Sequence, residues 1–204
     1  MVPDSILSQK AGSPKRLRLL VLASGTGSLT QALIETTNLR AEIVAVGADR
    51  PAPVLAIAEQ AGLPTFQINP ADFSTREAWD QALASAVAQY RPDLVVSAGF
   101  MRLLGSAFLT QWGRITINTH PALLPNFPGA QAVRDALAAG VAVSGCTVHR
   151  VIAEMDAGPI LAQRRLPVLP GDDESSLHER IKTVERNLLV EVINHIALGA
   201  IVLA

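Results

Sequence analysis

Residues 17–28 read Leu-Arg-Leu-Leu-Val-Leu-Ala-Ser-Gly-Thr-Gly-Ser, an apolar run that ends in a glycine-rich turn. The run predicts a buried strand over Leu17–Ala23, and the residues after the turn predict a helix from about Leu29 to Thr37. Basic residues precede the run, as in a secretion signal, but the apolar residues after Arg18 fall short of the ~7–15 that such a signal needs. The stretch therefore predicts the first strand, turn and helix of an α/β domain.

The alternation of strands and helices continues along the chain. Apolar strands are predicted over Ala41–Ala48, Thr65–Ile68 and Pro92–Ala98, with helices over Val54–Ala61 and Thr75–Tyr90. Continuous apolar strands that alternate with helices are typical of a parallel sheet covered on both faces.

The pattern changes in the second half of the chain. A strand over Gly113–Asn118 and a helix over Ala130–Ala139 precede two strands, Val143–Val151 and Pro159–Val168. A short turn joins these two strands, so they must run antiparallel, and an amphipathic helix follows over Glu174–Leu198. We therefore predict a Rossmann-like α/β fold, a mainly parallel twisted sheet with helices on both faces and an antiparallel C-terminal portion.

Composition narrows the class of protein. The chain has 204 residues, 49% of them hydrophobic, which is enough to bury the core of a single domain over residues 17–204. Residues 1–16 show no hydrophobic periodicity and predict a flexible N-terminal extension. A net charge of −1 argues against nucleic-acid or membrane partners, and no apolar stretch reaches the ~18–20 residues of a membrane span. The single cysteine, Cys146, favours a cytoplasmic location, and four scattered histidines lack metal-ligand spacing, so we predict no metal.

The turn at Ser24-Gly-Thr-Gly-Ser28 is the first candidate binding site. Its glycines let the backbone approach a ligand, and the amides of the following helix favour an anion such as a phosphate. The turn lacks the third glycine of a dinucleotide fingerprint, although Asp49 stands where that motif has a ribose-binding acid. A phosphate monoester site, a dinucleotide site and a merely tight turn all remain open.

A second candidate is the segment from Asn118 to Gly129, which contains three prolines after Asn118-Thr-His120. Prolines exclude helix and sheet ladders, so this segment predicts a rigid loop at the carboxyl end of a strand, where open α/β sheets bind ligands. An amide and an imidazole held two residues apart can polarise a carbonyl and handle a proton.

Two further segments can complete such a site. Phe100, Met101, Leu103 and Leu104 follow an apolar strand and either line a pocket or begin the next helix. In Glu154-Met-Asp-Ala-Gly158 the glycine and the following proline can fix the direction of Asp156, which can then orient a histidine.

The remaining histidines and the cysteine give weaker indications of a functional role. His149 lies within a strand and reads as a core or supporting residue, whereas His178 and His195 are expected on the surface of the last helix. Cys146, also within a strand, reads as a packing residue.

Taken together, Asn118-Thr-His120, the run Leu-Leu-Pro-Asn-Phe-Pro-Gly to Gly129 and Asp156-Ala-Gly-Pro159 resemble the phosphoribosylglycinamide formyltransferase family. Ser24–Ser28 and Ala98–Arg102 extend the resemblance, which covers about residues 17–199. It implies transfer of a formyl group from 10-formyltetrahydrofolate, as co-substrate, to the amine of glycinamide ribonucleotide, with small-molecule partners and a monomer or weak homodimer.

The resemblance also implies a role for each matching residue. Asn118, His120 and Asp156 match the catalytic residues. The positions that match the nucleotide and phosphate site are Gly25, Thr26, Gly27, Ser28, Leu29, Pro121, Lys182 and Glu185. The positions that match the folate site are Arg76, Met101, Arg102, Leu103, Leu104, Ile152, Ala153 and Glu154.

Two positions depart from the family pattern. Three other activities also compete with this interpretation. Leu29 stands where the family commonly has asparagine, and Gln131 where it often has histidine. Methionyl-tRNA formyltransferases carry a further C-terminal domain and formyltetrahydrofolate deformylases an additional N-terminal one, neither of which we expect here. A non-catalytic nucleotide-binding module would leave Asn118, His120 and Asp156 unexplained.

Overall fold

The structure is a computed structural model that describes residues 16–203, so nearly all of the predicted extension lies outside the described residues. Within them one sheet of seven strands has the order β3-β2-β1-β4-β5-β6-β7. The strands are β1 Leu17–Ala23, β2 Ala41–Ala48, β3 Thr65–Gln67, β4 Leu94–Ser97, β5 Thr116–His120, β6 Val143–Arg150 and β7 Ile160–Pro167. Strands β1 to β5 pair in parallel, and β6 and β7 are antiparallel, which confirms the predicted fold class.

Helices cover both faces of the sheet. They are α1 Ser28–Glu35, α2 Pro53–Gln60, α3 Arg76–Tyr90, α4 Ser106–Trp112, α5 Ala132–Ala138 and α6 Glu174–Ala197. Successive side chains of a strand point to opposite faces, so Leu19 and Val21 join one core while Leu20 and Leu22 join the other. The first core packs against α1, α2, α5 and α6, and the second against α3 and α4. None of the helices in the described part of the chain combines the length and apolar character needed to cross a bilayer.

The strand order reverses at β1, which has β2 on one side and β4 on the other. In an open α/β sheet, such a switch point leaves a crevice beyond the carboxyl ends of the two diverging strands. The glycine-rich turn after β1 and the residues after β4 both reach this crevice, and β5 ends beside them.

Two expectations about where elements begin are wrong. Residues Gly113–Ile115 form a turn of 3-10 helix, and β5 begins only at Thr116, whose hydroxyl donates to the Trp112 carbonyl at 2.7 Å. Strand β5 therefore runs to His120, and the rigid loop begins after it. The alternative in which residues 100–104 begin a helix is also wrong, because α4 begins at Ser106, where Asp80 accepts the amides of Gly105 and Phe108.

Candidate active site

A cavity of about 440 Å³ opens beyond the carboxyl ends of β1, β4 and β5. Its lining includes residues 25–29, 97–104, 118–121 and 151–156, together with Gly129, Ala130, His149, His178, Lys182 and Glu185. All the predicted site residues except Arg76 line this cavity. Arg76 lines a smaller neighbouring cavity of about 220 Å³, and Arg102 lines both. Among the described residues no cluster of His, Cys, Asp or Glu could hold a metal ion.

The glycine-rich turn presents open backbone amides to the cavity. Gly27 precedes α1 with φ +79°, and a Cβ at this position would lie 2.6 Å from Cγ2 of Val54, so only glycine fits. No side chain caps the N-terminus of α1, so its first amides remain available to an anion. Leu29 is nearly buried and adds no polar group.

Asp49 does not serve as a ribose-binding acid. Its carboxylate is fully buried and accepts hydrogen bonds from Nε of Arg102 at 2.7 Å and from Nη2 of Arg50 at 2.8 Å. Burial opposes ionisation, but the hydrogen bonds from Arg50, Ser24 and Arg102 lower the pKa of Asp49 to about 2. Since Asp49 does not line the cavity, the dinucleotide interpretation loses its acidic residue.

Asn118 and His120 lie two residues apart on β5, so both side chains extend from the same face of the strand. The Nε2 atom of His120 lies 2.7 Å from the carbonyl oxygen of Phe127. A carbonyl can only accept, so Nε2 carries a proton. The other ring nitrogen, Nδ1, lies 3.4 Å from Oδ2 of Asp156.

A tight backbone turn fixes the direction of Asp156. Asp156 has φ +54°, a left-handed conformation, and the amide of Gly129 donates to its Oδ2 at 2.8 Å. Two residues later, a Cβ on Gly158 would lie 1.7 Å from the carbonyl oxygen of Arg150, so the turn requires glycine. Burial opposes ionisation of Asp156, but the hydrogen bonds from His149 and Gly129 and the charge of His120 lower its pKa. The carboxylate is thus ionised and aimed at two imidazoles.

The second of these imidazoles, His149, has the supporting role that the sequence predicts. It is the cross-strand partner of Asn118 on β6, and its Nε2 lies 3.2 Å from Nδ2 of Asn118 and 3.6 Å from Oδ1 of Asp156. Its Nδ1 lies 3.0 Å from the carbonyl oxygen of Arg150, which requires a donor there. Nε2 of His149 therefore contacts both the Asn118 amide and the Asp156 carboxylate, and it fixes the orientation of the Asn118 side chain. The register of β5 against β6 was the signal that could have identified this residue.

A buried hydroxyl holds the loop after His120. Thr147, the cross-strand partner of His120, donates to the Ala122 carbonyl at 2.6 Å and accepts from the Leu124 amide at 3.1 Å. Gln163 on β7 donates to the same hydroxyl and to the Leu124 carbonyl. Thr147 and Gln163 have no sequence signal of this role, because the backbone groups that they hold belong to a distant segment.

One face of α6 closes the cavity on the phosphate side. Glu185 is buried, and burial raises the pKa of its carboxyl although a hydrogen bond from Thr119 and the charge of Lys182 oppose the shift. Lys182 pairs with Glu179 at 2.7 Å. The predicted surface position of His178 is wrong, since it is half-buried and lines the cavity, and burial and Lys182 lower its pKa.

The two remaining predictions on single residues agree with the structure. His195 is exposed on α6. Cys146 is fully buried on β6, and burial, with a smaller effect of the Glu185 charge, raises the pKa of its thiol to about 12. A thiol in that environment packs and does not act as a nucleophile.

The opposite wall of the cavity is apolar and partly open. Met101 and Leu103 are 67% and 54% exposed, whereas Phe100 and Leu104 turn inward to the core that contains Trp79. This wall offers an apolar surface, which suits a flat heterocycle.

These parts define a class of enzyme. An uncapped helix N-terminus and an apolar slot meet at an amide, an imidazole and a carboxylate, and such groups can transfer a carbonyl-containing group between two substrates. Comparison with known proteins narrows the class further. The model of the formyl transferase family matches residues 17–193. The chain belongs to the formyl transferase family.

Individual relatives agree with this assignment. The phosphoribosylglycinamide formyltransferase of Mycobacterium tuberculosis is 55% identical over 182 residues, which cover 88% of this chain and 85% of that protein. The crystal structure of glycinamide ribonucleotide transformylase 1 from Symbiobacterium toebii superposes with a TM-score of 0.88 at 40% identity, covering 90% of this chain and 89% of that chain. The phosphoribosylglycinamide formyltransferase of Coxiella burnetii gives a TM-score of 0.87 at 38% identity, covering 91% and 89%.

Proposed function

We propose that Asn118, His120 and Asp156 are the catalytic residues of a phosphoribosylglycinamide formyltransferase reaction. The chain transfers the formyl group of 10-formyltetrahydrofolate to the amine of N1-(5-phosphoribosyl)glycinamide, a step of de novo purine biosynthesis. The observation that supports these roles best is the contact of His120 with Asp156 beside Asn118, where the anion site and the apolar slot meet.

Each of the three side chains has a distinct task in this reaction. The amine of the nucleotide attacks the formyl carbon of the folate directly, and the tetrahedral intermediate then breaks its bond to N10 of the folate. Tetrahydrofolate leaves as N10 takes up the proton that the amine has lost. The Asn118 amide donates a hydrogen bond to the formyl oxygen as negative charge develops on it, and so does the Nε2–H of His120 once the substrate takes the place of the Phe127 carbonyl. Asp156 orients His120 and accepts, through water, the proton that the attacking amine loses. His149 is already paired with Asn118, so it orients the amide.

The nucleotide occupies the side of the cavity between the glycine-rich turn and α6. We assign its phosphate to the amides of Gly25, Thr26, Gly27, Ser28 and Leu29, with Pro121 and Lys182 nearby. Since Leu29 is apolar, the phosphate is held here by the backbone and not by that side chain. Glu185 binds the glycinamide end, where a hydrogen-bond donor offsets the cost of its buried charge.

The folate occupies the apolar side. We assign its heterocycle to the backbone of Met101, Leu103, Leu104, Ile152, Ala153 and Glu154, and its carboxylates to Arg76 and Arg102. Arg76 lies over the Trp79 ring at 5.6 Å and donates to the Leu103 carbonyl, so it connects the smaller cavity with the folate wall. Gln131 is exposed and precedes α5, so we assign it no role in the site.

The wider setting is proposed from composition and family. We assign the protein to the cytoplasm, with small-molecule substrates, no nucleic-acid or membrane partner, and a monomeric or weakly dimeric state. Residues 17–204 form one formyltransferase domain in this proposal. The net charge of −1 and the single buried cysteine support these assignments.

One assay separates the competing activities. The protein is mixed with 10-formyltetrahydrofolate, and loss of the formyl group is followed by absorbance with and without glycinamide ribonucleotide. Turnover that requires the nucleotide is the expected result. Turnover without it would indicate a deformylase, and nucleotide binding without any turnover would indicate a binding module.

A further inference from the structure

Asp49 is a buried carboxylate for which the proposed reaction has no direct use. It follows β2 and sits beside Ser24, which follows β1, because Ala23 and Ala48 are paired in the parallel ladder. The Ser24 hydroxyl lies within hydrogen-bond reach of Asp49 and accepts the Met101 amide at 2.9 Å. Asp49 thus lies at the junction of the glycine-rich turn and the folate wall.

The closest polar contact of Asp49 within the site is Arg102. Arg102 donates through Nε to Oδ2 of Asp49 at 2.7 Å, and among residues 16–203 its two terminal nitrogens make no hydrogen bond. Its side chain is 39% exposed and lines both the large and the small cavity. A guanidinium fixed at Nε presents its remaining donors in one plane, which is the geometry that binds a carboxylate bidentately.

We propose that Asp49 is a positioning residue that holds Arg102 in the orientation required to bind the carboxylates of the folate co-substrate. This inference rests on the proposed function. Without Asp49, the guanidinium of Arg102 would be free to rotate between the two cavities, and the Met101 segment would lose one of its anchors. The resulting loss falls on folate binding and not on the catalytic residues, which Asp49 does not contact.

The test compares steady-state constants of Asp49→Asn with those of the wild-type enzyme. We expect the KM for 10-formyltetrahydrofolate to rise about tenfold, with kcat and the KM for the nucleotide changed less than about twofold, as for loss of a charge-assisted hydrogen bond. For 10-formyltetrahydropteroate, which lacks the glutamate carboxylates, the same variant should change KM by less than about twofold. Arg50→Gln is the matched control, because Arg50 contacts the same carboxylate at 2.8 Å but does not line the cavity.

A double-mutant cycle shows whether Asp49 acts through Arg102. In an Arg102→Ala background, Asp49→Asn should add less than about a twofold change in the folate KM, because the two residues act as a unit. An unreduced effect in that background, or an effect on the nucleotide KM, overturns the inference. If Asp49→Asn does not fold, Arg102→Lys is measured in its place, because lysine keeps the charge but lacks Nε. An unchanged folate KM in Arg102→Lys then overturns the inference. Wild-type enzyme without formyl transfer would instead overturn the proposed function.

Discussion

Replacing Thr147 with valine tests the view that the loop after His120 is fixed from β6. The substitution keeps the shape of the side chain and removes only the hydroxyl. In the wild-type protein that hydroxyl satisfies the Ala122 carbonyl and the Leu124 amide, and it accepts one hydrogen bond from Gln163. Thr147 is fully buried, so water cannot replace these contacts without a rearrangement of the loop.

The expected loss in the free energy of unfolding follows from the backbone groups that are left without a partner. The Ala122 carbonyl and the Leu124 amide each lose a hydrogen bond, and a buried unsatisfied group costs about 1–3 kcal/mol. Gln163 keeps its bond to the Leu124 carbonyl at 2.8 Å, so its own loss is partial. We expect a loss of about 2–4 kcal/mol in the free energy of unfolding, because the loop relaxes in part. For a chain of this length that corresponds to a fall in Tm of roughly 4–16 °C.

The assay is chemical denaturation monitored by tryptophan fluorescence, together with kcat for formyl transfer. Thr147→Ser is the control, because serine restores the hydroxyl and removes only a methyl group. We expect kcat to fall at least about tenfold in Thr147→Val, since a displacement of ~1 Å at a catalytic group can cost up to ~100-fold. A valine variant with wild-type stability and turnover would show that the loop is rigid without Thr147 and would refute the reasoning.

Three further predictions concern the cavity itself. His120→Ala should lower kcat by at least about 100-fold while nucleotide affinity, measured by calorimetry, stays within about threefold; retained turnover would remove the proposed role. Asp156→Asn should lower kcat strongly. Because the pKa of Asp156 is lowered in the folded protein, the ionised carboxylate stabilises the fold above the ordinary value of 3.8, and this advantage over asparagine is lost as the pH falls below that value. Denaturation curves at several pH values check the trend. Glu185→Gln should weaken nucleotide binding yet raise the free energy of unfolding at pH 8, because the raised pKa of Glu185 means that stability declines as the pH rises from 4.5 through the folded value. An equal or lower stability of that variant at pH 8 would contradict the direction of the shift.

The sequence predicts the parallel half of the fold well because its signals are local. Apolar runs such as Leu17–Ala23 and Ala41–Ala48 are bounded by glycine, proline or charged residues, and the observed strands have these same limits. The boundary at Gly113 could not be placed in this way. Its β-branched neighbours suit a strand, but the Trp112 carbonyl accepts the Thr116 hydroxyl and a helical turn takes the intervening residues.

The residues of the candidate site also differ in whether a local sequence signal predicts them. Asn118, His120 and Asp156 are recognisable because motifs surround them, whereas His149, Thr147 and Gln163 occupy ordinary strand positions. Their contribution depends on which residue lies opposite them, and the register between β5, β6 and β7 is a tertiary property. Asp49 shows the converse error, since its position after β2 suggests a ligand contact while its carboxylate faces two arginines.

The antiparallel pairing of β5 with β6 places a supporting side chain opposite each of the two proposed catalytic residues on β5. Cross-strand neighbours share a face, so Asn118 lies opposite His149 and His120 lies opposite Thr147. One partner orients the amide, and the other fixes the backbone that follows the imidazole. The chain then turns after β6 and brings Asp156 back to both imidazoles at 3.4 and 3.6 Å. The register of β5 against β6, together with the turn that follows β6, therefore brings the three proposed catalytic groups together.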